Sequence, residues 1–190
     1  MKVCITGGIA SGKSLLSHYL NDLGVATVDA DDIVHELIPQ EERERLRSIV
    51  FKNPEARKEL EARIHPLVRQ KILSAIEGAE GQESGGKGDC PHSPYPLPPI
   101  AVIPLLFEVQ WEKDYDIIIC ILSSREKQIE RMMSLRGYTR EEAEARLAAQ
   151  MDPAIKAAKS DYVILNDSTD EDLKAEARKL VDYLVSRSQA

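Results

Sequence analysis

The fold of this chain is decided by Gly7-Gly8-Ile9-Ala10-Ser11-Gly12-Lys13-Ser14, which fits the phosphate-loop pattern G-x-x-x-x-G-K-[ST] at every fixed position. The apolar run Val3-Cys4-Ile5 precedes this stretch, and a helix-like run from Leu15 to Leu20 follows it. That order of strand, loop and helix is the context the motif needs. Glycines let backbone N–H groups turn towards a phosphate chain, and the start of the helix adds a partial positive charge. The pattern therefore predicts a nucleotide-binding loop.

Two residues of this loop have specific expected roles. Lys13 should reach the β- and γ-phosphates of ATP, and the Ser14 hydroxyl should ligate Mg²⁺. A glycine-rich turn that is only a tight connection is the alternative, but Lys-Ser in register argues against it. The predicted nucleotide-binding residues of the loop are Gly8, Ile9, Ala10, Ser11, Gly12, Lys13, Ser14 and Leu15.

Composition bounds the class of protein. A chain of 190 residues with 43% apolar content is long enough for one α/β domain with a modest appendage, and too short for two full domains. Its net charge of −7 argues against a broad nucleic-acid or membrane surface, which would need a basic face. No apolar run approaches the length of a membrane span, and the first residues enter a strand without a signal-peptide pattern. We therefore expect a cytoplasmic protein with small-molecule partners. The sequence does not indicate its oligomeric state.

Strand-like and helix-like segments alternate along the chain. This alternation predicts a P-loop nucleoside-triphosphatase-like α/β fold, with a parallel sheet and helices on both faces. The predicted core comprises residues 1–31 and 100–190, with a short helical substrate subdomain at about 32–77 and a lid at about 124–150. Strands are predicted after the first one at Val25–Val28, Ile100–Ile103, Tyr115–Leu122 and Asp161–Asn166.

Several helix ends are readable from local patterns. Asn53-Pro54 reads as an N-cap followed by the first helical position, and Pro66 predicts a kink or a break near His65. A charged helical region is also expected from Glu41 to Lys52. Three capping boxes are predicted at Ser123–Glu126, Thr139–Glu142 and Ser168–Glu171.

Residues 78–99 change in composition, with many glycines, serines and prolines, and are predicted to form a loop or a disordered insert. Cys90 and His92 lie inside it, but two candidate ligands without a second pair make a poor metal site.

Carboxylates follow two predicted strands. Short connections bring Asp29, Asp31 and Glu108 towards the sheet edge that carries the phosphate loop. A carboxylate there can accept a proton from an attacking hydroxyl or hold the shell of Mg²⁺. The alternative is that the acidic run after the second strand only caps the next helix. Both interpretations can hold for different members of the run.

Arginines of the second half are candidates for a lid. They bracket a turn between two helices, where they could close over the γ-phosphate and exclude water. Interleaved glutamates leave a solvated helical face as the alternative, and the phosphate loop favours the lid. These residues are Arg125, Arg131, Arg136 and Arg140.

Taken together, the motifs resemble those of the dephospho-coenzyme A kinase family and cover most of the chain outside residues 38–48 and 78–99. The phosphate loop alone is widespread, whereas its combination with Asp-Ala-Asp, His-Pro and Pro-Leu-Leu-Phe-Glu is specific. In chain order, the matching motifs are Thr6–Ser14, Val28–Asp31, Val50-Phe51, Pro54–Arg57, Leu60-Glu61, Ile64–Pro66, Pro104–Glu108, Gln128-x-x-Arg131, Ala149-Gln150 and Asp161–Asn166.

The resemblance implies that ATP phosphorylates the ribose 3′-hydroxyl of dephospho-coenzyme A, the last step of coenzyme A synthesis. It implies that Asp31 is the general base and a substrate ligand, with Lys13 in the phosphate role. His65 would lie on the acceptor side, where Glu108 is also expected to bind substrate. The resemblance further implies lid or adenine-side roles for Arg131 and Arg140, and a position near the nucleotide base for Asn166.

The sequence departs from the family pattern in three places. Ile38–Glu41 bridges an apparent deletion in the substrate subdomain, and residues 78–99 are inserted before the next strand. A second lid arginine is displaced by one position, since Leu135 stands where the family often has it and Arg136 follows. Two alternatives therefore stay open: a P-loop kinase for another small acceptor, and a non-catalytic nucleotide-binding protein.

Overall fold

The computed structural model describes residues 1–42, 53–78 and 97–189. These residues form a five-stranded sheet in the order β2-β3-β1-β4-β5, in which every neighbouring pair is parallel. The predicted parallel α/β fold is thereby confirmed. The strands are β1 Val3–Gly7, β2 Thr27–Asp29, β3 Ile100–Val102, β4 Ile117–Leu122 and β5 Tyr162–Leu165.

Helices cover both faces of the sheet because its central strands β3, β1 and β4 bury apolar side chains on both sides. Leu16 and Leu20 of the first helix join Leu180 of the last one in the core of one face. Ile33 and Ile72 belong to the core of the opposite face. The helices are α1 Lys13–Asp22, α2 Ala30–Leu37, α3 Pro54–Gly78, α4 Arg125–Arg136, α5 Arg140–Ala148, α6 Pro153–Ala158 and α7 Asp170–Ser188, with a 3₁₀ turn at Glu112–Asp114.

Helix α3 begins as predicted. The Asn53 side chain accepts hydrogen bonds from the backbone N–H groups of Glu55 and Ala56, at 3.0 and 3.2 Å. Of the predicted kink or break near His65, the break is wrong, since the helix continues through Pro66 to Gly78, and the kink stays a prediction. Val68 and Ile72 are buried beyond this point, and their packing against the sheet favours a continuous helix over the local preference of proline.

Of the three predicted capping boxes, the one at Thr139–Glu142 is confirmed. At Ser123–Glu126 the prediction is wrong: Ser124 is the N-cap, and its backbone N–H donates to Asp167 Oδ1 at 2.7 Å. A carboxylate from a distant segment therefore replaces the local glutamate. Helix α7 does start with a capping box, but one residue later than predicted, between Thr169 and Asp172.

Two predicted segments lie wholly or largely outside the described residues. They are the charged helical region from Glu41 to Lys52 and the insert at 78–99, including Cys90 and His92. Helix α6, by contrast, is present in the structure and was not predicted. Among the described residues, no helix is long and apolar enough to cross a membrane.

Candidate active site

The phosphate loop joins the end of β1 to the start of α1, as the motif predicts. Gly12 precedes the helix with a φ of 107°, in the left-handed region that favours glycine. A Cβ at this position would collide with the side-chain amide of Asn166. Ala10 also has a positive φ, 56°. The conformation of the loop therefore depends on a glycine at position 12, because Asn166 occupies the space that a side chain there would need.

Lys13 folds back over the loop. Its Nζ donates to the carbonyl oxygens of Gly7 and Gly8, at 2.9 and 2.8 Å. Burial lowers the pKa of Lys13 to about 8, and the positive charge of Lys156 lowers it further, whereas the charges of Asp31 and Asp29 oppose the shift. The lysine thus has both a second cation and two carboxylates within electrostatic reach.

Two glutamine side chains hold the loop at Ile9. Gln128 of α4 donates from Nε2 to the Ile9 carbonyl at 2.7 Å, and Gln150 accepts from the Ile9 N–H at 2.8 Å. Both glutamines lie within the predicted lid: Gln128 is in α4, and Gln150 follows α5. Sequence analysis placed them in matching motifs but assigned them no role, because a glutamine that clamps a backbone carries no local signal.

Asn166 and Arg131 hold the same loop from the side of β5. Asn166 is 5% exposed, and its Nδ2 donates to the Ser11 carbonyl at 2.8 Å. Arg131 donates to the carbonyls of Ala10 and Asn166, at 3.2 and 2.9 Å, and to Ser123 Oγ at 3.1 Å. Both residues therefore contact the loop backbone, and their predicted roles towards the nucleotide base stay predictions.

The acidic run after β2 divides into a cap and two exposed carboxylates. Asp29 is the N-cap of α2 and accepts from the Asp31 N–H at 2.8 Å. Burial raises the pKa of Asp29, and the charges of Asp31 and Asp32 add to that effect. Asp31 and Asp32 lie in the first turn of the helix with exposed side chains. Of these two, Asp31 is the one whose charge acts on Lys13.

Glu108 lies at the end of the loop that follows β3. Its Oε1 is 2.8 Å from Lys156 Nζ and accepts from the Met151 N–H at 3.1 Å. Lys156 also donates to the Pro104 carbonyl at 3.0 Å. Sequence analysis missed Lys156, because lysine is the residue type least expected in a core.

The remaining candidates lie apart from the phosphate loop. The His65 ring packs edge-on against Trp111, with the ring centroids 5.8 Å apart. Arg140 pairs with Glu126 at 3.0 Å and with Glu144 at 3.2 Å, within the predicted lid. The structure therefore does not bring His65 or Arg140 together with the loop, and their roles in binding stay predictions.

The site can be tested for its fit to a divalent cation. Mg²⁺ retains several waters in proteins and binds through one or two protein oxygens plus substrate phosphates. Ser14 presents an exposed hydroxyl one residue after Lys13, and Asp31 lies within reach of the same lysine. No group of three or more His, Cys, Asp or Glu residues that could hold a metal exists among the described residues. The oxygen ligands offered by Ser14 and Asp31 thus fit a cation that binds together with a nucleotide.

This fold and this loop define a P-loop kinase. A family model described as dephospho-CoA kinase matches residues 1–43 and 39–172, so the chain belongs to the dephospho-CoA kinase family and is a kinase. It is 34% identical over 196 residues to the dephospho-CoA kinase of Geobacillus kaustophilus, with 92% of each chain aligned. The enzyme of Geobacter sulfurreducens is 36% identical over 194 residues, which cover 90% of this chain and 91% of that protein. A solved dephospho-CoA kinase from Campylobacter jejuni superimposes with a TM-score of 0.71 at 27% identity, covering 99% of this chain and all of that one.

Proposed function

We propose that this kinase transfers the γ-phosphoryl group of ATP to the ribose 3′-hydroxyl of dephospho-coenzyme A, giving ADP and coenzyme A. One observation carries the proposal: a complete phosphate loop holds a half-buried lysine, Lys13, within electrostatic reach of an exposed carboxylate, Asp31. A donor site beside a general base is what transfer to a hydroxyl requires. Membership of the dephospho-CoA kinase family supports the choice of acceptor.

In this mechanism the loop binds the donor. Backbone N–H groups of Gly12, Lys13 and Ser14, at the N-terminus of α1, surround the phosphate chain, where the helix dipole favours negative charge. Lys13 exchanges the carbonyls of Gly7 and Gly8 for phosphate oxygens. Its charge then offsets the negative charge on the transferring group.

Asp31 acts on the acceptor. Its carboxylate accepts the proton of the 3′-hydroxyl as the oxygen attacks the γ-phosphorus, and the bond to the β-phosphate oxygen breaks in line with the attack. The electron pair of that bond leaves with ADP. Asp29 cannot serve equally, because its side chain caps α2.

Ser14 would hold Mg²⁺ through its hydroxyl, and the cation would neutralise phosphate charge when bound. The lid contributes by excluding water from the transferring group. Arg125 and Arg140 pair with glutamates of the lid, at 3.4 and 3.0 Å. Arg136 is exposed at the end of α4 and has no ion pair with a carboxylate among the described residues, so in the proposed closed state it can turn towards phosphate.

The test is ADP and coenzyme A formation from ATP, Mg²⁺ and dephospho-coenzyme A by the purified protein. Lys13→Ala serves as the control for contaminating kinases. Turnover that requires the acceptor and disappears in Lys13→Ala supports the proposal. ATP binding without acceptor-dependent turnover contradicts it, and favours a different acceptor or a nucleotide-binding protein without this activity. Cytoplasmic location is part of the same proposal, and fractionation of cells with an antibody to the chain tests it.

A further inference from the structure

Lys156 of α6 is a lysine whose side chain is 0% exposed. Lysines are almost never fully buried unless they are paired, because removing an ammonium group from water is strongly unfavourable. The groups that bind the Lys156 ammonium therefore show which segment of the structure its charge holds in place.

Those partners are the two ends of one loop. Lys156 Nζ lies 2.8 Å from Glu108 Oε1 and donates to the Pro104 carbonyl at 3.0 Å. Pro104 and Glu108 are the first and last residues of the Pro-Leu-Leu-Phe-Glu segment that follows β3. A single ammonium group thus fixes this segment, which we call the β3 loop, at both ends.

The position of β3 in the sheet gives the β3 loop its importance. Strand β3 lies between β2 and β1, and all three are parallel. The β3 loop therefore leaves the carboxyl edge between Asp31, which follows β2, and the phosphate loop, which follows β1. Thr6, the residue before the phosphate-loop pattern, also donates to Pro104 O, at 3.4 Å. An acceptor hydroxyl that meets both the γ-phosphate and Asp31 must come close to this loop.

Glu108 has one carboxylate oxygen in use and one without a partner. Oε1 binds Lys156 and the Met151 N–H. Oε2 is buried and has no hydrogen-bond partner among the described residues, although the side chain as a whole is 22% exposed. A buried carboxylate oxygen without a donor is unfavourable and calls for an explanation. The group that would satisfy it is a hydrogen-bond donor.

We propose that Lys156 is a positioning residue for the acceptor: it fixes the β3 loop and holds Glu108 so that Oε2 accepts a hydrogen bond from a hydroxyl or amide N–H of the acceptor substrate. This inference deepens the proposed function and rests on it. The competing interpretation is a buried ion pair that only stabilises the fold.

Calorimetric binding of dephospho-coenzyme A and of ATP, together with thermal unfolding, separates the two interpretations. Lys156→Met leaves the Glu108 carboxylate buried without its cation, so we expect a lower Tm. The double variant Lys156→Met/Glu108→Met replaces the pair with apolar side chains of similar length, and should recover most of that loss. If Glu108 binds the acceptor substrate, the double variant still binds dephospho-coenzyme A at least tenfold more weakly than the wild type does. Its ATP Kd should stay within twofold of the wild-type value.

Glu108→Gln provides a second test that does not depend on removing the buried lysine. A glutamine oxygen can still accept from Lys156 and from the Met151 N–H, whereas the amide nitrogen that replaces Oε2 is a donor. We expect at least tenfold weaker binding of dephospho-coenzyme A and an unchanged ATP Kd. The matched control is Lys179→Met, which breaks a lysine–glutamate pair of 2.6 Å on the exposed face of α7.

Dephospho-coenzyme A affinity within twofold of the wild type in Glu108→Gln overturns the inference, and this variant decides alone if the Lys156 variants do not fold. An equal loss of ATP affinity also overturns it, since that result describes a general structural defect. Failure of the proposed function is distinguishable: the wild-type protein would then neither bind dephospho-coenzyme A nor form coenzyme A. If the wild type does both and Glu108→Gln binds equally well, only the inference about Lys156 and Glu108 fails.

Discussion

Asp31 and Asp32 are adjacent, exposed carboxylates in the first turn of α2, and they make a matched pair for testing general-base catalysis. Asp31→Asn keeps the side-chain shape and removes the proton acceptor. We expect kcat to fall by about 10²- to 10⁴-fold, the usual contribution of a general base, with the ATP Kd changed by less than about threefold. Steady-state rates and calorimetry measure the two quantities.

Asp32→Asn is the control, because it removes the same charge from the same turn. Its kcat should stay close to that of the wild type. Equal losses in the two variants would show that negative charge near the start of α2 matters, and that Asp31 has no special chemical role.

Lys13 predicts a pH dependence of ATP binding. The pKa of Lys13 is about 8, because burial and the charge of Lys156 disfavour the ammonium form. ATP binding needs the protonated lysine. Above pH 8 the free energy of protonating Lys13 is therefore added to the free energy of ATP binding. The Kd for ATP should therefore increase about tenfold between pH 7 and pH 9, since each unit above the pKa is worth a factor of ten. Titration calorimetry at several pH values measures it.

Lys13→Met should bind ATP weakly at pH 7 and show no such increase up to pH 9. A slope in the variant equal to that of the wild type would assign the titration to another group. This pKa was not predictable from sequence, because it depends on Lys156, which is 143 positions away in the chain.

The phosphate loop is an element whose shape depends on contacts with distant segments. Gly12 and Gly137 both have positive φ values, 107° and 67°, but only Gly12 has Asn166 at the position of an added Cβ. Gly12→Ala should therefore weaken ATP binding at least tenfold. Gly137→Ala has no atom within 4 Å of its new Cβ, and should cost only about 1–2 kcal/mol of stability from the left-handed backbone, with an unchanged ATP Kd.

Chemical denaturation and calorimetry on the two glycine variants measure both quantities. Unchanged ATP binding in Gly12→Ala would mean that Asn166 can move away without consequence. Equal weakening in Gly137→Ala would instead assign the effect to backbone strain in general.

At the level of elements, the sequence predicted the features whose interacting residues are neighbours in the chain. The Asn53 cap and the box at Thr139–Glu142 were readable because their partners lie within a few residues. The phosphate loop was readable because its motif is contiguous, although distant residues hold it in place. The capping box at Ser123–Glu126 failed because Asp167, more than forty positions away, provides the acceptor instead. Helix α3 does not break at Pro66, because burial of Val68 and Ile72 holds it together.

At the level of the whole molecule, alternating strands and helices predicted a parallel sheet but not its order. Only the order β2-β3-β1-β4-β5 shows that the β3 loop lies between Asp31 and the phosphate loop. The same long-range assembly buries Lys156, Gln128 and Asn166, all polar residues that composition places on the surface. The sequence therefore indicated Asn166 as a site residue and Gln128 as part of a motif, but not the contacts by which they hold the phosphate loop, and Lys156 was missed altogether.

Binding of nucleotide at one edge should stabilise the entire sheet, because β1 and α1 lie in its core. At an ATP concentration of one hundred times Kd, ligand linkage adds about 2.7 kcal/mol to the free energy of unfolding. For a domain of this size, that gain corresponds to a Tm increase of about 5–10 °C. Differential scanning calorimetry measures the shift. Gly12→Ala at the same ATP concentration should show a much smaller increase, and an equal increase would place the bound nucleotide elsewhere.

Lys13 Nζ donates to the carbonyl oxygens of Gly7 and Gly8. In the proposed mechanism these carbonyls and the phosphate oxygens are alternative acceptors for the same ammonium group, so nucleotide binding exchanges one set of acceptors for the other. ATP offers Lys13 a γ-phosphate that ADP lacks, and we therefore expect ADP to bind more weakly than ATP. The same exchange of acceptors would favour the release of ADP after transfer.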